Sequence, residues 1–300
     1  MDVAITGSSG FIGTALSAAL EDQGHTVRRV VRSAGGPGTV RWDPAAGTID
    51  AAGLAGVDAV VHLAAAGIGD KRWTDARKEV LRRSRVDGTD LIARTVAAMD
   101  PRPATLLSAS GISIYGDGAD AVRTETSPPG EGFLAEVAVA WEAATAPAEA
   151  AGVRVVQLRS AVILDPSGSS LAKQLPLFKL GLGGRFGSGA QWLPWISLAD
   201  EVDAIIHLLS SELSGPVNVV APEPVTNAEF TETLARVLHR PSVLPIPKLG
   251  PYALLGRELA TQLLYWSVRA VPAALEADGF RFRHPDLESA LRDLLDRPAA

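Results

Sequence analysis

The chain has 300 residues, 47% of them hydrophobic and 21% charged, with a formal net charge of −6 and an isoelectric point near 5.4. These values describe an ordinary soluble protein with a large core and exclude a disordered or fibrous chain. They leave no basic field to attract nucleic acid or anionic lipid. Cysteine is absent, so disulfides and thiolate chemistry are excluded as well.

A short apolar strand, Val3 to Ile5, runs into Gly7-Ser8-Ser9-Gly10-Phe11-Ile12-Gly13 and reopens as a helix carrying Leu16 and Leu20. Gly7 permits the tight turn, Gly10 lets backbone approach a pyrophosphate, and Gly13 lets helix pack on strand. The free N–H groups at the helix start would then face phosphates. The spacing departs from the general Gly-x-Gly-x-x-Gly form. What lifts it above a mere strand-to-helix turn is its context: strand before, helix after, and alternating β and α signals beyond. The strand begins at residue 3, leaving no room for a secretory leader, and no apolar run approaches the ~20 residues of a membrane span. Cytoplasmic residence without membrane association is the expectation.

The second strand, Thr26 to Val31, ends at Arg32-Ser33. An NAD site would carry an acid here for the ribose 2′-hydroxyl. Arg32 with Ser33 suits a 2′-phosphate instead, unless Arg32 is simply a solvated strand end. NADP(H) is therefore expected over NAD(H). A Gly/Pro-rich loop from 34 to 39 leads to a short hairpin, Val40 to Asp43 and Gly47 to Ile49, inserted before the buried strand that starts at Asp58. That strand runs through His62, which reads as a packed residue, into Leu63, Ala64 and Ala65, small enough at its end for backbone to lie against a cofactor. Asp75 to Met99 has helical spacing. The basic cluster Lys71, Arg72, Arg77, Lys78, Arg82, Arg83 and Arg85 reads as the solvated face of a helix.

Thr105 to Ser110 is a further central strand, Glu136 to Ala151 a helix, and Val153 to Arg159 a strand. Later come a helix at Leu171 to Leu180, one capped by Ser197 or Asp200, a sheet strand at Val217 to Val220, and a helix capped by Thr226 or Asn227. Helices at about 251 to 269 and 286 to 296 close the chain. The expected fold is α/β, a doubly wound parallel sheet (Rossmann) with a smaller, mostly helical C-terminal substrate lobe. Residues 1–160 would form the NADP-binding core, completed by about 196–220, and 161–195 with 221–300 the substrate side. Trp73, Trp192 and Trp195 read either as lining an apolar cleft between the two or as packing residues.

Thr6-Gly7-Ser8-Ser9-Gly10-Phe11-Ile12-Gly13 resembles the nucleotide loop of the extended short-chain dehydrogenase/reductase superfamily, Thr-Gly-x-x-Gly-Phe-Ile-Gly. Gly69 to Thr74, Ser127 to Val137, Phe178 to Trp192 and the tail Gly279 to Leu287 resemble one atypical branch of it, labelled epimerase family protein or nucleotide-sugar epimerase. Ala161 and Asp165 depart from that branch, which tends to carry glycine there. The resemblance implies a cofactor held by Thr6, Gly7, Ser9, Gly10, Phe11, Ile12 and Gly13 in the loop, Arg32 and Ser33 after the second strand, and Leu63, Ala64, Ala65, Ser108 and Arg159 at later strand ends. It implies a catalytic Ser or Thr before a Tyr-Gly pair such as Tyr115-Gly116; Ser110 fits best, with Ser108 and Ser113 open. The superfamily's acid is the Tyr of Tyr-x-x-x-Lys. That motif is absent: the residues four beyond the three tyrosines are Ala119, Gly256 and Arg269. A replacement acid would be Tyr115, Lys71 or Ser110; Tyr115 is either that acid, its pKa lowered by Lys71, or a buried phenol bonded to backbone. No metal site is expected. The implied functions are an NADP-dependent oxidoreductase or epimerase acting on an unidentified small molecule, or a catalytically inactive NADP(H)-binding sensor; some of that branch are described as cell-division inhibitors.

Overall fold

The computed structural model describes residues 1–33, 36, 38–242 and 244–296; Ala34, Gly35 and Pro37 of the expected Gly/Pro loop lie outside them. Its first half runs β1 (Asp2–Thr6), α1 (Phe11–Asp22), four strands β2 (Thr26–Val31), β3 (Thr39–Asp43), β4 (Thr48–Ile49) and β5 (Ala59–His62), then α2 (Asp75–Ala98) and β6 (Thr105–Gly111). After the short β7 (Val122–Arg123) come α3 (Phe133–Ala143), α4 (Ala146–Ala150), β8 (Arg154–Ser160) and β9 (Val162–Asp165). Then follow α5 (Ser169–Lys179), β10 (Trp192–Leu193), β11 (Trp195–Ser197), α6 (Leu198–Ser210) and β12 (Gly215–Val219).

Eight strands form one sheet in the order β12-β8-β6-β5-β1-β2-β3-β4, all parallel except the antiparallel β3–β4 pair. Side chains alternate faces along each strand, and the central strands place apolar residues on both faces, which helices cover. Val3 and Ile5 join Leu16 and Leu20 of α1 and Ile205 and Leu208 of α6. Ala4, Val60 and Leu106 point the other way, onto Ile92 and Val96 of α2. The doubly wound parallel sheet is the expected one. Its strand order reverses between β1 and β5, and the crevice outside their carboxyl ends is where such sheets place ligands.

Three expectations change in detail. The hairpin is no insertion, because β3 pairs in parallel with β2 and extends the sheet before β4 turns back. The helix expected from Glu136 to Ala151 divides at Thr145, where Pro147 opens α4; proline lacks the N–H that continuation needs. Arg85 does not lie on a solvated face: it is 6% exposed, on the buried side of α2.

The C-terminal part holds β13 (Val225–Thr226), α7 (Asn227–Val237), α8 (Leu249–Leu255), α9 (Arg257–Ala260), a π-turn at Thr261–Tyr265, β14 (Arg269–Ala270), α10 (Ala273–Ala277) and α11 (Leu287–Leu294). Thr226 caps α7 reciprocally with Glu229, a capping box. Gly256, at φ +87°, separates α8 from α9, so the helix expected from 251 to 269 is broken. Leu171, Phe178, Trp195, Phe230, Leu234, Leu287 and Leu291 form a separate core here. The segment is tied to the loop after β6: Gly118 N–H donates to Ser267 O (2.8 Å) and Ser267 Oγ to Ala119 O (2.7 Å). No helix among the described residues is long and apolar enough to cross a membrane.

Candidate functional site

The glycine turn sits at the switch point of the sheet. Gly7 has φ +68°, and a Cβ there would lie 3.0 Å from the Ala64 nitrogen, so the turn packs on the backbone that leaves β5. Thr6 secures that contact: its Oγ1 accepts from Leu63 N–H (3.1 Å) and Ala64 N–H (3.2 Å). It also lies 2.7 Å from His62 Nδ1. With two N–H groups already donated to it, the hydroxyl gives its own proton to Nδ1, which places the imidazole proton on Nε2. His62 is fully buried, and burial pulls its pKa down to about 4. The packed role expected for it holds.

Gly13 and Gly10 differ. A Cβ on Gly13 would fall 2.2 Å from Gly7 O, whereas one on Gly10 would meet only Gly7 O, at 3.1 Å. Helix α1 has no side-chain cap at its start, and Ser9 and Gly10 are exposed. Its first N–H groups and positive dipole end therefore open onto an exposed, glycine-lined surface, the arrangement that takes a phosphate. Arg32 and Ser33 stand exposed at the end of β2, the neighbour of β1. These residues fit a dinucleotide: a glycine-flanked turn with no side-chain cap at the helix start, and a cation with no acid at the second strand end.

Beside this groove is a cavity of about 340 Å³. Ser110 and Gly111 contribute from β6, Val137 and Trp141 from α3, and Gln262 and Trp266 from the C-terminal segment. Ser110 Oγ donates to Glu142 Oε1 at 2.7 Å, and Glu142 is held by Arg159 through Nε to Oε1 and Nη2 to Oε2, both 2.8 Å. Arg159 Nη1 donates to the Tyr115 phenol (2.8 Å) and to Glu125 O (3.1 Å). The phenolic oxygen lies 2.8 Å from Thr124 O and 2.7 Å from Asn218 Oδ1, one of which takes its single proton.

This cluster corrects two roles. Arg159, expected at the cofactor, instead gives four of the five N–H groups of its guanidinium to Glu142, Tyr115 and Glu125 O. Tyr115 is 1% exposed, and burial raises its pKa despite the charge and hydrogen bond of Arg159. Lys71 is exposed and is not among the groups acting on the phenol; the cation beside Tyr115 is Arg159. The buried phenol bonded to backbone is the alternative that the structure favours. Ser108 is 1% exposed, with its hydroxyl 3.5 Å from the Ala109 carbonyl, and does not line the cavity, whereas Ser110 and Ser113 do.

Of the three tryptophans expected at a cleft, only Trp192 lines it. Trp73 packs edge-on against Phe133, and Trp195 is core. Trp141 and Trp266 take the lining role instead. The sequence reading also missed Glu142 and Arg85. Arg85 falls in the series Leu81, Arg85, Gly88, Thr89, Ile92, Val96, the buried stripe of α2; that three-and-four spacing was the available signal.

A parallel sheet of this order, with a glycine turn and an uncapped helix start at its switch point, defines a protein of the Rossmann class. The chain belongs to the NAD dependent epimerase/dehydratase family, which matches residues 3–221, and a domain of unknown function (DUF1731) matches 246–294. It is 45% identical over 298 residues to an epimerase family protein of Mycobacterium tuberculosis, covering 99% of this chain and 98% of the relative. It is 35% identical over 299 residues to human epimerase family protein SDR39U1, covering 98% and 100%. The crystal structure of human SDR39U1 (isoform 2) with NADPH superposes with a TM-score of 0.89 at 33% identity, over 99% of this chain and 100% of that one. A nucleoside-diphosphate sugar epimerase from Corynebacterium glutamicum gives a TM-score of 0.82 at 38% identity, over 98% of this chain and 58% of that one.

Proposed function

We propose that the chain binds NADP(H) in preference to NAD(H) and serves as an oxidoreductase or epimerase-type enzyme on a small molecule seated in the cavity. The observation that carries this reading is the open glycine cradle at the start of α1, followed at the end of β2 by Arg32 and no acid. The likeness to human SDR39U1, solved with NADPH, supports it. Gly7, Ser9, Gly10 and the α1 N-terminus would hold the pyrophosphate, Arg32 and Ser33 the 2′-phosphate, and backbone at Ala64 and Ala65 the nucleoside between. When bound, the cofactor supplies or accepts a hydride.

The chain's own part is to hold the substrate oxygen and move its proton. Helix α3 presents Val137 and Trp141 to the cavity, so no phenol-lysine pair acts from there. Ser110 lines the cavity with its proton directed at Glu142. A substrate hydroxyl would donate to Ser110 Oγ, and Ser110 would pass its own proton to the carboxylate. Loss of that proton together with hydride from the adjacent carbon balances oxidation of an alcohol to a carbonyl; the reverse sequence is reduction.

Calorimetry with NADPH and NADH, paired with NADPH oxidation over a panel of carbonyl compounds, tests the reading. A charge-assisted hydrogen bond from Arg32 corresponds to about 10- to 100-fold preference for NADPH, lost in Arg32→Ala. Equal affinity for the two nucleotides overturns the preference. NADPH binding without turnover of any compound favours the second reading, an NADP(H)-binding sensor, which is supported by the lack of Tyr, Lys, His, Asp or Glu among the described residues lining the cavity.

A further inference from the structure

Arg85 projects from α2 into a cavity whose walls are otherwise uncharged. It is 6% exposed and is the only charged residue among the described residues that line the space. No carboxylate among the described residues lies within ion-pair distance of it. Burial, with the repulsion of the nearby cation Arg77 added to it, pulls the guanidinium down to about 10, leaving it charged at neutral pH.

Its geometry is held from three directions. Nη1 donates to Ala66 O and to Leu81 O, both at 3.1 Å, and Cζ lies 4.9 Å from the centroid of the Trp141 ring. Trp141 is itself fixed by Nε1–H donating to Thr89 Oγ1 at 2.8 Å. A guanidinium carries five N–H groups. The two on Nη1 are used, and the edge formed by Nε and Nη2 makes no hydrogen bond to the described residues. That edge presents two parallel N–H groups, the pattern that matches a carboxylate side-on.

A buried, unneutralised cation is costly unless a ligand completes it. We infer that Arg85 receives the carboxylate of the substrate, and that the cavity takes an apolar oxo- or hydroxy-carboxylate whose carbonyl or hydroxyl meets Ser110. One unpaired positive charge matches a monoanion, whereas a phosphate dianion would need further cations that the lining lacks. Leu134, Val137, Leu263 and Trp266 supply the apolar walls for the rest of the molecule. This names the substrate class for the activity proposed above and rests on that reading for what fills the adjoining groove.

The test uses phenylpyruvate and phenylacetone, the same ketone with a methyl in place of the carboxylate. Each is titrated calorimetrically into the full chain, with and without saturating NADPH. The expected result is about 10- to 100-fold tighter binding of phenylpyruvate, the effect of a charge-assisted bidentate pair. Arg85→Met should remove that preference while keeping phenylacetone and NADPH affinity, and Arg85→Lys should retain part of it. Equal binding of the two ketones by the parent chain, binding of neither, or a preference that survives Arg85→Met overturns the proposal. So does a loss of NADPH affinity in a folded Arg85→Met variant, which assigns the cation to the cofactor. If the parent chain prefers phenylpyruvate but ignores NADPH, the cofactor reading fails and the carboxylate site stands.

Discussion

Tyr115, Arg159, Glu142 and Asn218 form a chain of charge and hydrogen bonds in which each buried polar group has its partner on another element. Burial raises the phenol's pKa, the wrong direction for an acid that must release its proton near pH 7. Tyr115→Phe would leave Arg159 Nη1, and whichever of Thr124 O and Asn218 Oδ1 takes the phenolic proton, short of a partner in a buried site. Such losses cost about 1 to 3 kcal/mol. The variant should therefore melt several degrees lower while binding NADPH with unchanged affinity, as thermal denaturation and calorimetry would read. A variant as stable as the parent but inactive would restore Tyr115 to chemistry.

At the scale of the element, one strand-to-helix turn contains glycines with separate tasks. Gly13 sits where α1 crosses the turn, and a Cβ would strike Gly7 O and the Ser8 Cα, 2.2 Å and 2.8 Å away. Both are backbone, so neither can yield without moving the helix. Gly10 has φ −81° and ψ 179°, a conformation open to any residue, and the one close contact of its Cβ needs a shift of a few tenths of an ångström. Gly13→Ala should accordingly lower stability by more than about 1 kcal/mol. Gly10→Ala should fold nearly normally and lose NADPH affinity by about 10-fold or more, because the methyl stands where phosphate approaches the amides. Denaturant unfolding alongside NADPH titration separates the two effects, and equal behaviour of both variants would refute the division.

The stability of the whole molecule carries the mark of Glu201, fully buried in the first turn of α6. Its Oε1 accepts from Ser160 Oγ at 2.6 Å at the end of β8, while Oε2 has no partner. Burial raises its pKa from 4.5 to about 7 against the smaller opposing effect of the Ser160 bond. A carboxyl whose folded pKa is raised stabilises the fold fully below the unfolded value, and that contribution is lost as pH rises through the folded one. The window runs from about pH 4.5 to 7. Glu201→Gln, permanently neutral, should match the parent near the acid end and exceed it by about 1 to 3 kcal/mol at pH 8. His62 acts with the opposite sign: its depressed pKa supports the fold above 6.5 and ceases to as pH falls toward about 4. Since both proteins carry His62, the difference between their melting curves isolates Glu201. A gap that does not widen with pH would mean that Glu201 is not neutral in the fold.

The sequence by itself determined the alternation of strand and helix, the two-sided burial of the strands, the glycine turn and the cation after the second strand, because each is a property of residues adjacent along the chain. It also registered the missing Tyr-x-x-x-Lys. Tertiary structure decided what the polar groups do. Ser110 meets Glu142 across 32 residues and Tyr115 meets Asn218 across 103, and no local pattern encodes such pairs. Arg159 was read as a ligand for the cofactor until its partners occupied it, and Arg85 as a solvent-facing charge until α2 turned it inward. Periodicity assigns a residue to a face of its helix or strand; only the packed neighbours decide whether the charge on that face is neutralised, solvated or left open to a ligand.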